Sequence, residues 1–381
     1  MLHINESRID GLLHQAARVA PSEIERILAK SRSLQRLTLE ETAALLAIED
    51  DALLRDIFAA AADVKDRIYG KRVVLFAPLY ISNLCSNACL YCAFKSDNTL
   101  TKRRALAMDE IKAEVAWLLK RGHKRILMVS GQAAPDGQSD IDYCLEAIKA
   151  IYSVSVGPHK VKRVNVNLAP FSVDEFKKLK KAGIGTYQLF QETYHEGTYR
   201  YVHPTGPKAD PDNRIDAVDR AFAAGIDDIG IGVLYGLYDW RFETLAMLMH
   251  VEHMEKRFCV GPHTISVPRI EPAEGVPFVE NLQCKVSDDD FKKIVAVLRL
   301  SVPYTGIILS TRESPAMRDT LFTLGVSQAS AESRTAPGAY SDGRLAETPG
   351  QFSLSDQRSM DDVIDSLLER DFIPSFCAAC Y

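Results

Sequence analysis

From Arg72 onward the chain alternates eight times between a short β-rich run and a longer run whose apolar residues recur at helical spacing. The short runs fall at 73–82, 125–131, 163–169, 186–193, 227–235, 263–268, 305–311 and 326–331. Helical runs follow near 109–121, 140–152, 173–181, 213–224, 241–257, 287–300, 315–323 and 360–370. Strands joined by crossover helices lie parallel, because each helix carries the chain back to the edge where the last strand began. Eight such units predict an α/β protein with a closed (β/α)8 barrel over residues 72–371. An open doubly wound sheet is the alternative, and eight units are many for it. In a barrel of this kind the reactive side chains sit at the C-terminal ends of the strands.

Both flanks read differently. In residues 1–71, Leu12, Leu13, Ala16, Ala17 and then Ile24, Ile27 and Leu28 repeat at helical spacing. Thr38-Leu-Glu-Glu41 has the form of a capping box. This segment is predicted to be a helical N-terminal extension. At the other end, 372–381 ends on Cys377-Ala-Ala-Cys380-Tyr381. A CxxC pair can be redox-active, a half-built metal site or inert. Here it reads as the start of a further region, incomplete in the sequence as given.

Composition narrows the function classes. At 381 residues and 46% hydrophobic, the chain can bury one large barrel or two ordinary domains. A net charge of -5 gives no general pull toward nucleic acid or an anionic membrane. The run Lys102-Arg103-Arg104 is short and reads as a solvated loop. Residues 1–21 show no signal-peptide pattern, and no apolar stretch has membrane-spanning length. Eight cysteines in so long a chain argue against a disulfide scaffold and for a reducing, cytoplasmic setting.

Three of those cysteines carry the chemistry. Cys85, Cys89 and Cys92 form a CX3CX2C triplet directly after the first strand. Three thiolates on one loop can hold three irons of a [4Fe–4S] cluster and leave the fourth iron open to a substrate or cofactor. A structural zinc site closes with four ligands, commonly as two separated pairs, and no second pair lies near. Cys144, Cys259 and Cys284 show no ligand spacing and read as ordinary thiols.

The triplet resembles that of the radical S-adenosylmethionine (SAM) enzymes. Three stretches are similar to their tyrosine-cleaving branch: Phe76-Ala-Pro-Leu-Tyr-Ile-Ser-Asn83, Gly183-Ile-Gly-Thr-Tyr-Gln-Leu-Phe-Gln-Glu-Thr-Tyr-His195 and Asp227-Asp-Ile-Gly-Ile-Gly-Val-Leu-Tyr-Gly236. His203-Pro-Thr-Gly-Pro207 is another. Within the branch, Gly261-Pro-His-Thr-Ile-Ser-Val-Pro-Arg-Ile270, Ser310-Thr-Arg-Glu-Ser314 and Pro374-Ser-Phe-Cys-Ala-Ala-Cys-Tyr381 resemble the lyases that mature [FeFe]-hydrogenase. The 2-iminoacetate synthases of thiamine biosynthesis are the nearer alternative, and a non-catalytic Fe–S delivery protein the more distant one. A zinc-binding structural module is the last.

The resemblance implies a SAM-cleaving lyase that breaks the Cα–Cβ bond of L-tyrosine, giving p-cresol and dehydroglycine on the way to CO and cyanide. It implies a [4Fe–4S] cluster with one open iron, SAM and a second Fe–S cluster begun by Cys377 and Cys380. It also implies a reduced flavodoxin- or ferredoxin-like electron donor and other maturation proteins as partners. Tyr91, Ser130, Gln132 and Glu192 become cofactor-binding candidates, Arg312 and Arg334 substrate-carboxylate partners, and His263 a ligand to an extra iron. Each has a plainer reading: core aromatic, strand-end turn, packing, surface ion pair, structural histidine. The family carries an acid near Gln132, whose amide offers a hydrogen bond without the charge.

Overall fold

The computed structural model describes residues 2–16, 18–343 and 349–376. Eight parallel strands form the barrel: β1 (Arg72–Ser82), β2 (Arg125–Ser130), β3 (Arg163–Asn167), β4 (Tyr187–Glu192), β5 (Ile229–Val233), β6 (Thr264–Ser266), β7 (Gly306–Leu309) and β8 (Gln328–Ser330). Each pairs with the next, and β8 pairs back onto β1 with Val74 opposite Gln328, which closes the ring. All eight anticipated strands are present, each within a few residues of its expected bounds. β1 is buried along its length apart from Arg72, as a strand covered on both faces must be.

The helices begin where their sequences allow a cap. Ser139, Ser172, Ser287, Ser314 and Ser359 each accept a hydrogen bond from the backbone N–H three residues on, and so start Asp140–Ser153, Val173–Lys181, Asp288–Ser301, Pro315–Leu324 and Met360–Glu369. Four helices precede the barrel: Glu6–Ala16, Pro21–Arg32, Leu39–Leu46 and Asp51–Tyr69. The third carries the expected capping box between Thr38 and Glu41. These helices lie on the outer helices Trp240–Phe258, Asp288–Ser301 and Pro315–Leu324, and their apolar residues join the same hydrophobic core as the barrel.

Three departures from the sequence reading bear on the barrel and its site. A helix at Glu196–Val202 follows β4 and was not expected. The single helix expected at 213–224 is two pieces, Pro211–Ile215 and Ala217–Ala223, meeting at Asp216. A ninth strand of the barrel sheet, β9 (Ile373–Ser375), lies in the segment read as the start of a further region, for which no strand was expected. It pairs with the N-terminal end of β1, Arg72 opposite Ile373, on the edge that β2 occupies further up. Among the described residues no helix is long and apolar enough to cross a membrane.

Candidate active site

The loop from Asn83 to Arg104 leaves the C-terminal end of β1 without regular structure and is held by a hydrogen bond between its ends and by others from elsewhere. Asn83 N–H donates to Arg104 O at 3.1 Å, Ala88 N–H to Thr205 O at 3.2 Å and Leu90 N–H to Val202 O at 3.0 Å. Two glycines permit the close fit. A Cβ on Gly131 would lie 2.1 Å from Leu84 O, so the end of β2 can press against the loop only without a side chain. Gly206, at φ 96°, would meet the Asn87 backbone at 2.7 Å.

One cavity of about 220 Å³ opens at this end of the barrel. Its wall brings together Cys85, Cys89, Cys92, Tyr91, Ser130, Gln132, Glu192 and Arg312. Eight of the twelve residues singled out in the sequence are therefore neighbours. Apolar clusters flank the loop, one around Cys89, Tyr91, Val202 and Leu234, the other around Tyr80, Phe94, Val129 and Val276. They put low-dielectric surface beside the thiols, where a charge is screened less than in water.

The thiols suit a multi-iron cluster. Soft sulfur donors are what such clusters take, and all three thiols are free of disulfides. Burial, then the neighbouring Cys89, pushes the Cys92 thiol up to about 12, so a bound cation has to hold it as thiolate. No group of three or more His, Cys, Asp or Glu among the described residues converges on a single metal ion. A cube, with one thiolate on each of three irons, does not require that convergence.

Around the thiols the polar groups are fixed in pairs. Glu192 ends β4 with a left-handed φ of 71°, where the β4–β5 register shifts. Its carboxylate sits 2.7 Å from Lys208 Nζ and 3.5 Å from Arg214. Burial pushes that carboxyl up, but Lys208 and Arg214 outweigh it and hold it below its ordinary range. Tyr91 OH meets His203 Nε2 at 2.7 Å, while His203 Nδ1 lies 2.9 Å from Tyr199 O. Burial keeps this imidazole neutral. Because a carbonyl only accepts, Nδ1 carries the hydrogen and Nε2 accepts from the tyrosine. Gln132 Oε1 accepts from Asn87 Nδ2 at 2.8 Å.

Arg312 differs from these. It donates to Arg269 O at 3.2 Å and stacks 3.4 Å over the centroid of Phe352, but it has no ion pair among the described residues. Burial lowers its pKa against the opposing pull of Tyr80, Glu192 and Glu271. Arg334 is not on the wall, although Ser333 and Thr335 on either side of it are. Its backbone N–H donates to Tyr340 OH at 3.0 Å. His263 precedes β6 at the opposite, N-terminal end of the barrel, with Nδ1 4.0 Å from Asp228. Cys377 and Cys380 lie outside the described residues.

Lys208, Arg214, Asn87 and Gln351 belong to the same wall and were missed in the sequence. Asn87 stands inside the cysteine motif, so its place could have been found. The other three come from distant segments with no local pattern.

The chain matches two family models: the Radical SAM superfamily over residues 79–249, and the Biotin and Thiamin Synthesis associated domain over 266–373. It is 30% identical to the 2-iminoacetate synthase of Escherichia coli (strain K12), over 93% of this chain and 89% of that protein. A crystal structure of HydG, a maturase of the [FeFe]-hydrogenase, superposes with a TM-score of 0.94 at 47% identity, over 99% of this chain and 81% of that one. The FeFe-hydrogenase maturase HydG from Carboxydothermus hydrogenoformans gives 0.90 at 45% identity, over 99% and 84%.

Proposed function

The chain belongs to the radical SAM superfamily, in the group that holds HydG and 2-iminoacetate synthase, and on that premise we propose that it is a tyrosine lyase of [FeFe]-hydrogenase maturation. Cys85, Cys89 and Cys92 hold a [4Fe–4S] cluster whose fourth iron is open. The cluster and SAM, when bound, supply a 5'-deoxyadenosyl radical by one-electron reduction, the electron coming from a reduced flavodoxin- or ferredoxin-like protein. Everything else falls to the residues of this chain.

Tyr91, held by neutral His203, presents its ring at the cluster loop for the adenine. Ser130, Gln132 and Glu192 face the same chamber with the hydrogen-bonding atoms that a ribose and a methionyl ammonium need. Arg312 takes the substrate carboxylate as a two-pronged cation. Arg334, one strand further round, is a second candidate for that carboxylate once the chamber is filled. Tight apolar packing around the loop keeps water from a carbon radical. Loss of a hydrogen atom from L-tyrosine to that radical, followed by breaking of the Cα–Cβ bond, would give dehydroglycine, the source of CO and cyanide, and an aromatic radical fragment that a second electron from the same donor and a proton convert to p-cresol. Cys377 and Cys380 begin a second cluster, beside which His263 holds an extra iron.

The observation that carries this reading is Arg312 itself: a cation with no ion pair among the described residues, stacked on Phe352 on the wall that also holds the three thiols. An amino-acid carboxylate neutralises it within reach of the radical source. The test is anaerobic turnover of reconstituted protein with SAM, dithionite and tyrosine. Release of p-cresol with 5'-deoxyadenosine is expected, and release of neither overturns the proposal. In Arg312→Leu, 5'-deoxyadenosine should persist while p-cresol falls by more than tenfold, since a buried charge pair broken on one side costs roughly 2–5 kcal/mol. Equal p-cresol from that variant removes Arg312 from the substrate site. The likeness to 2-iminoacetate synthase favours a second reading, with dehydroglycine released intact. CO trapped by deoxyhaemoglobin in proportion to p-cresol separates the two.

A further inference from the structure

Gln351 lies 259 residues from Cys92 in sequence, yet its Nε2 is 3.5 Å from the Cys92 sulfur. It sits on an irregular strap that crosses the barrel mouth. Gln351 N–H donates to Thr335 O at 3.0 Å, Ala93 N–H to Gln351 O at 3.3 Å, and Ser353 N–H to Pro272 O at 2.8 Å. Its side-chain oxygen accepts from Tyr80 OH at 2.9 Å. The sulfur fixes which way the amide faces. A thiolate can only accept, so the nitrogen must face the sulfur and the oxygen must take the phenol hydrogen.

Asn87 repeats the arrangement on the other side. Its oxygen accepts from Lys208 N–H at 2.7 Å, and its nitrogen lies 3.5 Å from the Cys85 sulfur. Two side-chain amides, each anchored through its oxygen, thus turn N–H groups onto two of the three thiols. Neither is needed to ligate iron. The Asn87 nitrogen, which has two hydrogens, also donates to Gln132 Oε1 at 2.8 Å.

From this geometry we infer that Gln351, with Asn87, is a positioning residue that sets the reduction potential of the cluster, an inference that rests on the triplet being the cluster site. Reduction takes the cluster from the 2+ to the 1+ state by one electron from the external flavodoxin- or ferredoxin-like donor, with no proton transferred. The added electron density falls partly on the thiolate sulfurs. An N–H held against sulfur stabilises the reduced state more than the oxidised one and raises the potential. The anchoring oxygens keep the amides from rotating away, so the bond is present before the electron arrives.

The test uses the full chain, reconstituted anaerobically as wild type, Gln351→Leu and Tyr80→Phe, with iron and sulfide content measured for each. The reduced fraction is read by electron paramagnetic resonance at a fixed solution potential, set at the wild-type midpoint. Gln351→Leu at wild-type iron content should show a reduced-to-oxidised ratio lower by roughly tenfold, the factor one hydrogen bond to a charged group carries. Tyr80→Phe keeps the amide but releases its anchor, and should shift the ratio the same way by less. A wild-type ratio in Gln351→Leu at full iron content overturns the inference. If that variant loads less iron, a wild-type ratio in Tyr80→Phe overturns it instead. A wild-type protein that takes up no iron overturns the cluster assignment itself, a result distinct from either of these.

Discussion

Gln132 shows how a residue can keep its place and change its charge. Its side-chain oxygen already accepts from Asn87, so the amide is engaged within the loop and its nitrogen is left for other partners. A carboxylate there would keep the Asn87 bond with one oxygen and offer the second, charged, to an ammonium. Gln132→Glu is therefore expected to bind SAM roughly tenfold more tightly, since a hydrogen bond between charged groups contributes about 1.5–3 kcal/mol. Calorimetric titration of the reconstituted protein checks this, and weaker binding in a folded variant would assign the role to Glu192. The three cysteines were legible in sequence because their spacing is local and their chemistry is rare. Arg312 was legible because a strand end in a barrel predicts its position. Lys208, Arg214 and Gln351 were not, because each acquires its meaning only from a partner that the fold brings near. His263 was legible as a residue but not in its place, which the fold puts at the end of the barrel away from the thiols.

Between residues and the whole molecule, the strand ends do the positioning. The contact of β2 with the cysteine loop passes through Gly131, where a methyl group would meet the backbone of Leu84 and not a side chain able to move. Gly131→Ala is expected to lower stability by about 1–3 kcal/mol, the usual cost of overpacking, and to cut iron uptake by displacing Cys85. Thermal melting and iron content on the same sample check it; unchanged values in both would mean that the loop can give way. The strands and most helices were legible because apolar runs and serine caps announce them. The helix Glu196–Val202 was not, since its cap is His195, which accepts from Thr198 N–H through Nδ1 and lies outside the ordinary capping set. β9 is three residues long and contains Pro374, which forgoes a backbone donor, so no strand pattern could form in sequence.

Across the whole molecule, the helical N-terminal layer and the barrel share one core, and their stability should respond together. Glu243, on Trp240–Phe258, is buried there and accepts from Tyr194 N–H at 2.8 Å and from the Thr193 hydroxyl, just after Glu192. Burial pushes its carboxyl up to about 8 from 4.5. The folded state thus holds a proton that the unfolded chain releases above 4.5, and stability falls as pH rises from there to about 8. Glu243→Gln mimics the protonated acid. Its melting temperature is expected to match the wild type below pH 5 and to exceed it at pH 9; parallel curves would mean that Glu243 titrates normally. The closure of β8 onto β1 has a consequence for how the protein is made. The cysteine loop emerges from the ribosome early, but its β1 edge waits for residue 328 and its Cys92 amide for residue 351. At a synthesis rate of about 5–20 residues per second, the thiols stand open for at least ten seconds or so before the pocket can exist. On the proposed cluster assignment, loading is therefore a late event in the life of this chain, and oxygen has its easiest access to the sulfurs before the last barrel strand arrives.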